Sequence, residues 1–198
     1  DSESTDDTRA IAAKYTPLVH NIPWAGFGPQ KNTAIDLATS DWILSIDCDE
    51  YVSSQLADEI ASVIKMTDCH GFMIPFRNRF LGRSMRFGEW SGERKLRLFR
   101  RGHGRFTDVS LHERLEVDGK VSRLRGWIVH DTCPTSSHLR QKQMHYAGIG
   151  AQAAIDRGKR ITLWGAAARA GWAFARSYLL KGGVLDGRTG WSLAWVLG

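Results

Sequence analysis

The stretch DWILSIDCDE, residues 41–50, decides how the rest of the chain is read. Strand-forming residues, Trp42 to Ile46, run into three acids within four positions: Asp47, Asp49 and Glu50. Like charges gathered at the end of a buried strand repel unless something positive sits among them. Residues two apart on a strand point the same way, so Asp47 and Asp49 share a face and Cys48 points away. In an open α/β sheet, ligands bind at the carboxyl ends of the strands. Two carboxylates there suit a hard divalent cation, Mg²⁺ or Mn²⁺, completed by substrate phosphates. The same residues also fit a solvated acidic strand end leading into a helix N-terminus, where acids are favoured. A short D-x-D match does not choose between the two.

Outward from this stretch the pattern alternates. Upstream, Thr5–Tyr15 reads as a helix capped by Thr5 and Asp6, with Ile11 and Ala12 opening its apolar face. PLVHNIPW (17–24) reads as a short strand, GFGP (26–29) as a turn and QKNTAIDLAT (30–39) as a helix. Downstream, SSQLADEIASVIK (53–65) is an amphipathic helix with Leu56, Ile60 and Ile64 on one face, and GFMIPF (71–76) is another strand. Strands alternating with helices predict an α/β layer with a mainly parallel sheet. After Phe76 the character changes. RNRFLGRSMRFGEW, KLRLFRR, RFTDVSLHERLEV and VSRLRGWIVHDT predict short antiparallel strands attached to that layer. Ser136 or Ser137 then caps a long helix to about Arg157, and Ile161–Leu180 is a second helical segment.

The 198 residues suffice for one domain with a core, or a domain plus an appendage. Cys48, Cys69 and Cys133 are odd in number and widely spaced, which predicts a reducing compartment and no disulfide framework. The net charge of +6 lies wholly in the tail: residues 157–198 hold seven basic side chains and one acid, Asp186. A second basic zone, 77–105, carries ten basic residues against Glu89 and Glu93. An anionic substrate, a membrane surface or nucleic acid would match such zones. A basic nucleic-acid module would explain the charge but not the carboxylates, and the chain carries no nucleic-acid-binding motif.

The first residues, DSESTDDT, have the form D-x-x-S-x-D-x-T. With SIDCDE some forty residues later, the pair resembles glycosyltransferase family 2, the nucleotide-sugar transferases with the GT-A fold. GFGPQKNTAIDLATSDWILSIDCDE resembles that family's stretch from the sugar-nucleotide loop to the metal motif. NRFLGR, KLRLFRRG, LHERLEV and the basic C-terminal helices resemble its subgroup that builds lipopolysaccharide core or related surface glycans. The resemblance implies a GT-A, Rossmann-like mixed sheet flanked by helices over residues 1–135, with a basic helical region over 136–198. It also implies that the family's first strand and helix precede Asp1, so the sequence reads as N-terminally truncated.

The implied roles follow residue by residue. Asp1 would contact the nucleotide base, Lys31 would approach the nucleotide with Asn32 beside it, and Asp47 would face ribose and metal. Asp49 would ligate Mn²⁺ or Mg²⁺, and His130 would stand near the metal or diphosphate. Glu113 in SLHERL would deprotonate the acceptor hydroxyl, with Glu93 as rival. The family usually has Gly where this chain has Glu3 and Asp7, which adds acids and bears on the turn. The implied reaction is inverting transfer of a sugar, with UDP-glucose the first candidate donor, to an anionic lipid-linked glycan. A polyprenyl-phosphate or capsule precursor is the alternative acceptor.

Arg77, Arg79, Arg83, Arg86, Arg97, Arg100 and Arg101 either bind that acceptor or form a solvated hairpin face. In the tail, Trp164, Ala168, Trp172, Ala175 and Leu179 make one helical stripe flanked by Arg169 and Arg176. Charges interrupt it too often for a spanning helix. The stripe reads either as a helix lying on anionic lipid at the cytoplasmic face of the membrane or as packing against the catalytic domain.

Overall fold

The computed structural model describes residues 1–108, 113–133 and 162–197, with isolated positions between 135 and 158. Elements follow in the order α1 (Thr8–Ala12), α2 (Phe27–Leu37), β1 (Trp42–Leu44), β2 (Glu50–Val52), α3 (Ser54–Val63), β3 (Gly71–Phe80), β4 (Arg83–Ser84), β5 (Arg94–Arg100), β6 (Gly104–Phe106), β7 (Leu115–Val117), β8 (Val121–Arg123) and β9 (Ile128–Cys133). The tail forms α4 (Leu163–Ala175), a π-helical turn (Arg176–Leu180), a 3₁₀ turn (Gly183–Asp186) and α5 (Gly187–Leu197).

The main sheet runs β1-β5-β3-β9-β2, and β6 and β7 form a separate ribbon. It is a mixed sheet, not a mainly parallel one. Only β3 with β8 and β3 with β9 pair in parallel among the described residues. The cause is strand insertion: β5, which follows β3 and β4 in the chain, enters antiparallel between β1 and β3. Alternation along a sequence sets which face a residue occupies, but not which strand becomes its neighbour.

The central β3 is buried along most of its length, in keeping with its apolar residues. On β5, Leu98 and Phe99 point to opposite faces and serve two cores. Leu98 joins Leu56 of α3 with Phe72, Ile74, Phe76 and Ile128. Phe99 joins Ile35 of α2 with Phe106. Helices thus cover both faces, as an α/β layer requires. Ser53 starts α3 by accepting the Leu56 N–H (3.2 Å), and Gly126 approaches that helix so closely that a Cβ would stand 2.4 Å from the Leu56 Cα.

Three local expectations change. α1 is shorter than the predicted Thr5–Tyr15, although Asp6 does accept the Thr8 N–H at 3.0 Å. α2 starts at Phe27, because Pro29 is tolerated in a first helical turn. Residues 17–24 form no strand; instead Asp1 bridges to them, its backbone nitrogen donating to the His20 carbonyl (2.9 Å) and its carbonyl accepting the Ile22 N–H (3.0 Å). The predicted helix from Ser136 or Ser137 to Arg157 lies largely outside the described residues.

A third core, Phe80, Met85 and Leu193 with Trp90, Val196 and Leu197, holds α5 against the β3–β4 hairpin. Asp186 accepts the Arg86 and Phe87 N–H groups (3.1 and 2.9 Å), and Glu89 pairs with Arg176 (3.2 Å) and Lys181 (3.0 Å). In the predicted tryptophan stripe both rings stand open among the described residues: Trp164 is 87% exposed and Trp172 61%. Among the described residues no helix is long and apolar enough to cross a membrane.

Candidate active site

β1 ends at Leu44, earlier than the sequence suggests, and the chain turns before β2, the Glu50 N–H donating to the Asp47 carbonyl (3.0 Å). Strand alternation therefore does not extend through Asp47, Cys48 and Asp49; Asp47 and Glu50 share one partner, and Asp49 has another.

Two of them are answered from within the protein. The Arg97 guanidinium reaches Asp47 Oδ2 (2.8 Å) and Glu50 Oε1 (2.7 Å). Arg97 is buried, as is Glu50, whose side chain is only 1% exposed. Glu50 Oε2 also accepts the Asp47 N–H (3.0 Å), which fixes the turn. The other Asp47 oxygen meets Lys31 Nζ at 3.1 Å. Burial pushes the Asp47 carboxyl up, but Arg97 and then Lys31 outweigh it and hold the group below the usual carboxylate value.

The third acid is different. Asp49 Oδ2 lies 3.2 Å from His130 Nε2, because the β2–β9 ladder sets Glu50 opposite His130. The other ring nitrogen, Nδ1, is 2.9 Å from Asn78 Oδ1. Asn78 cannot be turned round, since its Nδ2 already donates to the Trp90 carbonyl at 2.8 Å. Nδ1 therefore carries the proton, and Nε2 turns its lone pair toward the carboxylate. Two acceptors at that separation need a positive charge between them, either a second ring proton or a cation. A histidine oriented through its far nitrogen and facing a carboxylate is a donor set that fits a divalent ion.

Lys31, Asp47, Glu93, Arg97, Phe106 and Glu113 line one cavity of about 670 Å³. Lys31 links both sides of it, bonding Glu113 Oε1 (2.9 Å) as well as Asp47 and lying 5.1 Å from the centre of the Phe106 ring. Both candidate bases are thus present: Glu113, largely shielded, and Glu93, more exposed and bonded to Lys95 (3.3 Å). Asn32 sits next to Lys31, but both ends of its amide are engaged by the Phe106 backbone (2.9 and 2.8 Å), so it ties α2 to β6. Asp1 stands apart. It lines a separate cavity with Leu18, His20, Ile22 and Gln30, and its carboxylate accepts the Ser4 N–H (2.9 Å).

The first basic zone is largely satisfied internally. Arg77 stacks on Trp127 (3.2 Å to the ring centre), Arg79 donates to the Gly82 carbonyl (2.8 Å) and Arg101 donates to the Ser40 carbonyl (3.0 Å). The sequence missed Glu50 and Asn78 as site residues. Glu50 carried a signal: at the start of a strand its side chain shares a face with Val52, toward the interior. Asn78 carried none, since its role depends on β3 and β9 being neighbours.

Sequence relatives point to a family. The sequence pattern of glycosyl transferase family 2 matches residues 1–114. An uncharacterized glycosyltransferase of Rickettsia prowazekii is 26% identical over 201 residues, covering 91% of this chain and 66% of its own length. A second, from Rickettsia conorii, is 26% identical over 195 residues, covering 91% and 68%. The lipopolysaccharide core biosynthesis glycosyltransferase LpsC of Rhizobium meliloti is 29% identical over 169 residues, covering 81% of this chain and 62% of its own. The chain therefore spans roughly two thirds of the length of these relatives. Since the family match runs across more than half of the chain, from Asp1 through the acidic turn to Glu113 and Arg114, this protein belongs to glycosyl transferase family 2.

Proposed function

We propose that the protein transfers a sugar with inversion from a UDP-sugar, glucose being the first candidate, to an anionic lipid-linked glycan of the lipopolysaccharide-core type. The observation that carries the proposal is the Asp49–His130 pair at 3.2 Å, two residues along the acidic turn from Asp47, which lines a cavity with both acids and bases. Asp49 and His130 would hold Mn²⁺ or Mg²⁺; Asp47, with Lys31 and Arg97 on its two oxygens, is the weaker ligand and the better partner for the nucleotide. Such an ion supplies charge neutralisation to the departing diphosphate.

The chain's own groups do the rest. Arg97 fixes Asp47 and Glu50 in place, and Lys31 is poised to exchange a carboxylate for a phosphate oxygen. Glu113 accepts the proton of the acceptor hydroxyl as that oxygen bonds to the anomeric carbon, while the bond from that carbon to the diphosphate oxygen breaks. The similarity to LpsC supports the acceptor class. The exposed Trp164 and Trp172, beside Arg169, support a peripheral position at a membrane.

The test is transfer of labelled sugar from a panel of UDP-sugars to lipid-linked core glycans. Glu113→Gln should lower kcat at least about 100-fold without weakening UDP binding, and Glu93→Gln should have a small effect. Activity retained by Glu113→Gln would reject the assignment of the base.

A further inference from the structure

We propose that His70, His103 and Asp118 form a second divalent-cation site, suited to Zn²⁺, at the end of the sheet remote from Asp49. Three turns converge there. His70 immediately precedes β3, His103 lies in the β5–β6 turn and Asp118 follows β7. Backbone bonds hold them together: the Arg100 N–H donates to the His70 carbonyl (2.8 Å) and the Asp118 N–H to the His103 carbonyl (2.8 Å). One ligating atom from each of the three residues lies within 4.8 Å of the others. His70 and Asn78, the residue that orients His130, are eight positions apart on an extended strand, about 26 Å.

The ring chemistry fits a metal. His70 Nδ1 is 2.9 Å from the Asp118 carbonyl oxygen, which can only accept, so Nδ1 holds a proton and Nε2 keeps its lone pair. Gly119 makes this contact possible: its φ is +97° and a Cβ there would fall 1.9 Å from that nitrogen. His103 Nδ1 is buried without a hydrogen-bond partner and stands 3.6 Å from Asp118 Oδ1. The two imidazoles stack at 4.0 Å with 27° between their planes. Two charged rings that close would repel, whereas neutral imidazoles are the ligating form. Two imidazoles and a carboxylate favour Zn²⁺ over Mg²⁺ or Mn²⁺, with a remaining position for water. The ion would clamp the open end of the β6–β7 ribbon, where Gly104 pairs with Val117, and that ribbon carries Phe106 and leads back to Glu113.

The test is Zn²⁺ titration by calorimetry, and Co²⁺ titration by visible absorption, of the full chain carrying Asp49→Ala to silence the other cluster. The expected result is saturable uptake of one equivalent and a melting temperature raised by about 5–10 °C at a hundredfold excess over Kd. His103→Ala and Asp118→Asn should each weaken uptake at least about tenfold and cut the thermal shift by about half or more at the same Zn²⁺ concentration. Should His103→Ala fail to fold, Asp118→Asn decides alone, because that side chain is 80% exposed. No saturable uptake, or uptake and thermal shift unchanged by these variants, would overturn the proposal.

Discussion

Replacing Arg97 by Met tests how the acidic turn is held. Arg97 is 7% exposed and its guanidinium bridges Asp47 and Glu50 at 2.8 and 2.7 Å. Met keeps most of the volume and removes the charge. Asp47, 38% exposed, can turn to water, but Glu50 at 1% cannot. Leaving a buried carboxylate without its partner costs about 3–5 kcal/mol. Urea unfolding at pH 7 should show that loss as a lower midpoint at unchanged m-value. Adding Glu50→Gln should recover roughly half of it, so the double variant should cost clearly less than the sum of the two singles. The pH dependence has a definite sign. The folded-state pKa of Asp47 is depressed, so its contribution is present above the unfolded value of about 3.9 and is lost as pH falls through the folded value. Arg97→Met removes much of that acid-limb loss, because Arg97 is the larger of the two charges that hold the Asp47 carboxyl down. A loss below about 1 kcal/mol at pH 7, or a double variant no better than the sum of the singles, would refute the reasoning.

Other perturbations probe the surroundings. Glu3 has φ +62°, the left-handed region that favours Gly, so Glu3→Gly should leave stability unchanged or raise it by up to about 1 kcal/mol in urea unfolding. At Gly28 a Cβ would stand 2.2 Å from the Thr107 carbonyl oxygen, so Gly28→Ala should displace α2 and cost about 1–3 kcal/mol, with weaker UDP binding through Lys31. Trp164→Ser with Trp172→Ser should cut binding to vesicles of anionic lipid at least about tenfold while leaving the melting temperature within about 2 °C, because both rings are exposed. Equal vesicle binding by the double variant would remove the membrane role from this stripe.

How much of this was legible beforehand depends on the range of the interaction. The Ser53 cap, the Leu56 face of α3 and the apolar run of β3 are local and read directly from residue spacing. The position of the acidic turn was also legible. What neutralises it was only partly so, because Lys31 and Arg97 reach it from across the chain. Arg97 shows the limit most clearly. In the sequence it is one of many arginines in a basic zone; in the fold the insertion of β5 beside β1 makes it the buried partner of two acids. His130 was placed by resemblance, but its orientation depends on Asn78, which no spacing rule connects to it. Glu3 illustrates the reverse case: the departure from Gly was visible, and the backbone keeps the left-handed angle regardless.

The most direct test of the central claim is calorimetric titration of UDP into the folded chain, with and without Mn²⁺, beside Asp49→Ala. Binding that requires Mn²⁺ and weakens at least about tenfold in Asp49→Ala, with the fold intact by circular dichroism, is the predicted result. UDP binding of equal strength with and without Mn²⁺, or unchanged in the variant, would contradict a cation shared by Asp49 and His130.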